Sequence, residues 1–358
     1  MRRRLLIAAA VLALGGCAGT PPQDKAGELA VGKFKSALQD GVLLLRPARG
    51  SMQVVTAQGQ ARIEQPLANE AHTRFLVGSI SKWITTVAVL RLVDQGRVDL
   101  DKPITFYLPE LPRESGRVTV RHLLSNTSGI PNGLAQALKQ DRAATENSKL
   151  TPSQGALRYG AGAPGFEPGT KFDYSFTNWV LVGAIVEKLT GLDFQQAIKT
   201  LVLQPAGVRD TGFANDAWTS MPQAALAYDK EKSKRKMSAM PPMVAASGTV
   251  YSTAADLVAI ADAVYAGDLL SGKSRAELLT VQHAEENYAL GGRVRDIGSG
   301  AAKRRVIWNG GVIGGYKTLL VYAPADGAAV VLLNNTDIDQ SDQNKLAEAL
   351  LDELLQAH

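Results

Sequence analysis

The chain has 358 residues, 45% hydrophobic and 20% charged, which is ample for a large buried core and too apolar for a disordered protein. Its formal charge of +5 owes three units to Arg2, Arg3 and Arg4; without them 36 basic residues face 34 acidic ones, a net +2 that argues against a nucleic-acid partner. A single cysteine excludes an internal disulfide, and no Cys/His cluster supports a metal site, so neither metal nor cofactor is expected.

In chain order, Met1-Arg2-Arg3-Arg4 precedes an apolar run from Leu5 to Leu14 that is too short to span a bilayer and reads as an export signal over residues 1–16. Cys17 follows Leu14-Gly15-Gly16, which resembles the box cleaved and lipidated in bacterial lipoproteins. The expected mature chain then starts at Cys17, with residues 17–29 as a tether, and is held by its lipid on the periplasmic side of a bacterial envelope. The competing reading is a free cysteine in an uncleaved signal.

From residue 30 to 358 the pattern is that of one domain. A helix is predicted near residues 26–39, then strands at Gly41–Arg46, Met52–Thr56 and Ala61–Gln65. After Ser79, the residues Ile80, Trp83, Ile84, Val87, Leu90 and Val93 recur at helical spacing, predicting a helix buried along one face and stopped at Gln95-Gly96. Residues 99–240 read as an inserted helical lobe, with helices at Val118–Ser125, Asn178–Thr190 and Phe194–Leu203. Helices at Ala254–Tyr265 and Ser274–Gln282, strands at Arg304–Asn309, Tyr316–Tyr322 and Ala328–Asn334, and a last helix at Asn344–Leu355 complete the chain. Strands from both ends of the sequence around one helical insertion predict an α+β fold, with an antiparallel or mixed sheet flanked by helices.

Ser79-Ile80-Ser81-Lys82 opens the predicted helix. A serine hydroxyl needs a base to become a nucleophile, and a lysine one helical turn on projects beside it. Ser233-Lys234-Arg235-Lys236 has the same spacing without a helix frame and reads, with Lys230 and Lys232, as a solvated loop. The phosphate-loop string Gly267 to Ser274 lacks a preceding strand, and Pro164 contradicts a dinucleotide fingerprint at Gly160 to Gly165. No partners support a histidine triad, and His122 is expected to be a structural hydrogen-bonding group.

Four segments together resemble the serine beta-lactamase and penicillin-binding superfamily, in its class C and esterase branch. They are Phe75 to Lys82 with its continuation Leu92 to Asp101, Val118 to Pro131, Pro168-Gly169-Thr170-Lys171-Phe172-Asp173-Tyr174-Ser175, and Trp308-Asn309-Gly310-Gly311. Ser247 to Leu257 is a lesser match. The resemblance implies Ser79, Lys82 and Tyr174 as catalytic groups, with either Lys82 or Tyr174 as the base that deprotonates Ser79. It also implies an oxyanion hole from the backbone N–H groups of Ser79 and Val312, and substrate contacts at Phe176, Asn309, Gly310 and Gly311.

Two positions depart from that pattern. Phe176 stands where the family usually has an asparagine, and Asn309 where it has lysine or histidine. The first removes an amide that binds a substrate amide, with Asn178 a poor substitute. The second removes a cation for a substrate carboxylate, worth about 1.5 to 3 kcal/mol. An ester or amide hydrolase that favours esters over beta-lactams or D-alanyl peptides is therefore expected, acting on a small-molecule or peptide-like substrate. A catalytically weak envelope protein that uses the pocket for binding is the second reading. Oligomeric state is not specified by the sequence.

Overall fold

Six strands form the central sheet, and its inner strands Gly41–Arg46 and Ala329–Asn334 are buried at every residue because both faces are covered. The six are β1 (Gly41–Arg46), β2 (Val54–Gln58), β3 (Arg293–Ile297), β4 (Arg304–Ile313), β5 (Tyr316–Tyr322) and β6 (Ala329–Asn334), in the order β3-β4-β5-β6-β1-β2, each pair antiparallel. Alternate residues serve two cores: Val42, Leu44, Val331 and Leu333 face the helical bulk, while Leu43, Leu45, Val330 and Leu332 face the C-terminal helix. The computed structural model describes residues 29, 31–36, 40–51, 53–160, 162–236, 240–298 and 303–356. The expected export signal, Cys17 and residues 17–28 of the tether lie outside them. No helix among the described residues is long and apolar enough to cross a membrane.

The α+β expectation holds, and the strand register explains how: β1 from the start of the chain sits between β6 and β2, so both ends of the sequence share one sheet. The main helices are α1 (Ile80–Asp94), α2 (Phe176–Thr190), α3 (Ala254–Tyr265) and α4 (Gln340–Gln356). The predicted helix at Phe194–Leu203 is split into Phe194–Ile198 and a wider turn at Lys199–Leu203. β4 continues through Asn309 to Ile313, so its last residues outrun β3, which pairs only as far as Trp308. That leaves one edge of β4 open beside the start of α1.

Two expectations need correction. α1 is not buried along one face: every residue from Ile80 to Leu90 is buried, as is Leu92. Its polar members survive there because each has a partner; Ser81 Oγ accepts from Val250 N at 3.2 Å, and Thr85 Oγ1 donates to Ala246 O at 2.9 Å. The basic cluster is also not a plain solvated loop. It folds as a hairpin, Ala227–Tyr228 against Arg235–Lys236, in which Lys232 reaches buried Asp40 at 2.6 Å and Lys236 pairs with Asp337.

Candidate active site

Ser79 arrives on a short strand, Phe75–Leu76, that pairs with Val250–Ser252, and Val77 N then donates to Val250 O at 2.9 Å. Gly78 follows with φ 52°, a conformation glycine adopts without strain, and a Cβ there would stand 2.8 Å from Val312 N. The absence of that carbon lets the open lip of β4 close against the residue before the nucleophile. Ser79 occupies the N-cap of α1 but makes no side-chain cap. Its Oγ instead meets Lys82 Nζ at 3.1 Å and the Tyr174 phenol at 2.8 Å. An ordinary capping serine would spend its oxygen on the helix.

Lys82 is 1% exposed. Its ammonium donates to Ser247 O at 2.8 Å and lies 5.0, 5.5 and 5.8 Å from the ring centres of Tyr174, Phe176 and Trp179. Tyr174 precedes α2 and packs among Phe172, Phe176 and Tyr288, with ring centres 6.3 to 6.5 Å away. Burial pushes the Tyr174 phenol up, but the Lys82 charge, hydrogen bonds with Ser79 and Lys82, and the charge of Arg293 together hold it below the ordinary tyrosine value. Burial, joined by the Tyr174 charge, keeps neighbouring Tyr288 well above it. Two adjacent phenols are thus driven in opposite directions, Tyr174 down and Tyr288 up.

The other predicted positions fall as follows. Val312 sits on the open lip of β4 with its backbone against Gly78, so its N–H and that of Ser79 belong to one cleft edge. Gly311 is a packing residue: a Cβ would stand 2.0 Å from Val77 O. Gly310 is exposed and alternates to the opposite face of the strand from Asn309 and Gly311, away from the cleft. Asn309 is 5% exposed; its amide fits the space left by Gly292, and neither of its polar atoms has a partner among the described residues. Phe176 is partly exposed and stands edge-on to Tyr174. Asn178 is fully buried and committed to Ser128 and Asn126, so it supplies no substrate amide contact.

The remaining sequence signals have structural roles. Ser233 Oγ donates to Asp229 at 2.9 Å, and Asp94 accepts from Ser271 and Ser274 where a phosphate loop would carry its anion. His122 forms a capping box with Thr119, as expected. Sequence reasoning missed Ser247, which acts through its carbonyl, and Asn126, Trp179, Tyr288 and Arg293, whose roles depend on tertiary contact. Tyr288 and Arg293 flank the Gly291-Gly292 pair, but that spacing carries no chemical signature. No group of His, Cys, Asp and Glu residues that could hold a metal is present among the described residues.

A family model described as Beta-lactamase matches residues 35–355. The putative penicillin-binding protein PbpX of Bacillus subtilis is 28% identical over 77% of this chain and 66% of its own length. Esterase EstB of Burkholderia gladioli is 36% identical over 51% of this chain and 50% of its own. The chain thus spans between half and two thirds of these relatives. Among solved structures, a penicillin-binding protein from Bacillus halodurans superposes with a TM-score of 0.77 at 25% identity, covering 90% of this chain and 98% of that one. A D-stereospecific amidohydrolase from Streptomyces gives a TM-score of 0.70 at 25% identity, covering 91% and 97%.

The charge dependence of Tyr174 sets a pH expectation. The phenolate is the form above its pKa, so the rising limb of kcat/KM for a p-nitrophenyl ester should lie below the ordinary tyrosine value, about 10. Lys82→Ala should move that limb upward, because burial is then opposed only by the Ser79 hydrogen bond and the Arg293 charge, and lower the plateau by about a hundredfold or more. A limb that stays in place in Lys82→Ala would show that Lys82 does not tune the tyrosine.

Proposed function

Because the chain belongs to the Beta-lactamase family, we propose that it is an envelope serine hydrolase that cleaves an ester or amide through an acyl-enzyme on Ser79, with esters favoured. The observation that carries this reading is the shared contact of Ser79 Oγ with Lys82 Nζ and the Tyr174 phenol, at 3.1 and 2.8 Å. Tyr174 takes the Ser79 proton as Oγ bonds to the substrate carbonyl carbon, and Lys82 stabilises the phenolate that accepts it. The carbonyl oxygen becomes an oxyanion facing the N–H groups of Ser79 and Val312; one such donor is typically worth about 3 kcal/mol. Tyr174 returns the proton to the leaving alcohol or amine as the bond to carbon breaks. Water then attacks the acyl-enzyme, giving its proton to Tyr174, and that proton passes back to Ser79 Oγ as the acid departs.

Three features support the ester preference. Phe176 puts an aromatic ring where an amide would grip a substrate amide. Asn309 offers a neutral, unspent amide where a cation would grip a carboxylate. The relative named as an esterase is 36% identical over its matched half. The lipid anchor and periplasmic location rest on the export run and Cys17 alone.

A fluorophosphonate probe should label the wild-type protein and spare Ser79→Ala; a wild-type protein left unlabelled by both this probe and a fluorescent penicillin would sink the hydrolase reading. Asn309→Lys should raise acylation by the penicillin about tenfold or more, the value of one charge-assisted contact, while leaving neutral esters no better cleaved. Equal penicillin rates in the two proteins would remove Asn309 from the specificity argument. In a bacterial host, Cys17→Ser should move the protein from the membrane fraction to the soluble periplasm, and retention in the membrane would exclude Cys17 as the anchor.

A further inference from the structure

Tyr174 stands on a stretch with no helix or strand, from residue 163 until α2 begins at Phe176. A side chain whose chemistry depends on a 2.8 Å approach to Ser79 is thus carried by a segment with no ladder of its own. Asn126 supplies the missing restraint. Its main-chain oxygen accepts from Asp173 N at 2.8 Å, and its Oδ1 accepts from Ser175 N at 3.4 Å, so the residues on either side of Tyr174 are tied to one asparagine. Asn126 is fully buried, with φ 56°, in a left-handed turn after the helix Val120–Leu124. Asparagine is among the few side-chain-bearing residues that enter that region readily. The turn is held by Asn126 N on Leu123 O at 3.2 Å and Thr127 N on His122 O at 2.9 Å, and it aims both oxygens at the same segment.

We propose that Asn126 is a positioning residue for Tyr174, a two-armed clamp that holds the phenol against Ser79 and Lys82. The role rests on the acyl-enzyme reading of Ser79; the clamp itself is a matter of geometry. Asn126 Oδ1 also accepts from Asn178 Nδ2 at 3.4 Å, and Asn178 Oδ1 in turn accepts from Ser128 Oγ at 2.6 Å, two links removed from residues 173–175. The Tyr288 phenol, on which the Asn126 side chain acts electrostatically, stands edge-on to Tyr174. Displacement of a catalytic group by about 1 Å costs on the order of a hundredfold in rate, so the restraint matters more to chemistry than to folding.

Other charged and titratable groups around Tyr174 must be kept constant in a test. Lys82 faces it from α1, Tyr288 from the segment before β3, and Arg293 from β3; Glu286 pairs with Arg293 at 2.8 Å, and His283 lies farther off, against Phe172 at 5.6 Å. A change at residue 126 leaves Lys82, Arg293, Glu286 and His283 unaltered and reaches only Tyr288, which keeps its place against Tyr174 through ring packing. Asn126→Gly keeps the left-handed turn and the main-chain arm but deletes the side-chain arm. Ser128→Ala loosens the same buried network without touching residues 173–175 and serves as the structural control.

The decisive readout is the pH titration of Tyr174 in full-length protein carrying ring-13C tyrosine, its resonance assigned with Tyr174→Phe, beside kcat and KM for a p-nitrophenyl ester. Asn126→Gly should raise the Tyr174 midpoint by about one pH unit and lower kcat about tenfold with KM within twofold. Ser128→Ala should lower Tm and leave the titration and kcat as in wild type. Asn126→Asp retains both acceptors and the turn, so its kcat on the alkaline plateau should stay within about threefold of wild type. A folded Asn126→Gly with wild-type titration and kcat overturns the clamp, as does an Asn126→Asp plateau as low as the one expected for glycine. A wild-type protein that turns over no ester counts against the hydrolase reading, while the titration still decides the clamp.

Discussion

A lysine ammonium buried to 1% exposure is the condition around which this molecule is arranged. Removing a cation from water costs several kcal/mol even after relaxation, so Lys82 has to be met by partners on all sides. Ser247 supplies a carbonyl, Ser79 a hydroxyl oxygen, and three aromatic rings present their faces within 6 Å. These five come from four parts of the chain: the residue before α1, the loop before α2, α2 itself, which supplies both Phe176 and Trp179, and the short helix Ala245–Gly248. Enclosing Lys82 therefore requires α1 to be surrounded, which is why a helix that looks amphipathic by spacing is buried on every side.

The same enclosure makes Tyr174 chemically useful. A buried phenol is ordinarily a weaker acid than a free one, as Tyr288, Tyr265 and Tyr316 all illustrate; burial pushes each of them upward. Tyr174 moves the other way because the ammonium that had to be stabilised is beside it. Asn309 contributes no charge to this balance. A further cation acting on it, Arg293 on β3, is the smallest of the named influences and pairs with Glu286 at 2.8 Å, so it modulates the phenol rather than controlling it. Control rests with Lys82, the side chain that also touches Ser79.

The strands were legible from sequence because apolar runs bounded by turns survive double burial; the predicted Gly41–Arg46 and Tyr316–Tyr322 coincide with β1 and β5. α1 was legible as an element but not in its burial, since spacing reports only the most apolar stripe, and Ser81, Thr85 and Thr86 look solvent-facing until their partners are known. The basic hairpin was misread for a related reason: Asp40 lies about 190 residues from the lysine that neutralises it, and a charge cluster gives no sign of a distant buried carboxylate. Ser79, Lys82 and Tyr174 were legible through motif order, while Asn126 and Ser247 were not. Ser247 contributes through a backbone oxygen, and Asn126 through a backbone oxygen, a side-chain oxygen and a left-handed turn whose target 47 to 49 residues away leaves no trace in the local sequence.

The two S-x-x-K strings make the physical distinction plain. Both place a lysine three residues after a serine, yet Ser233 is exposed, gives its hydroxyl to Asp229, and sees Lys236 paired with Asp337. Water and carboxylates around that pair leave the lysine fully compensated and the hydroxyl engaged as a donor. Around Ser79 no carboxylate contacts the lysine among the described residues; its partners are neutral oxygens and ring faces, so its field acts on the serine and the phenol. Withholding a counter-ion from a buried ammonium is costly to the fold, and the phenol positioned to become that counter-ion is Tyr174.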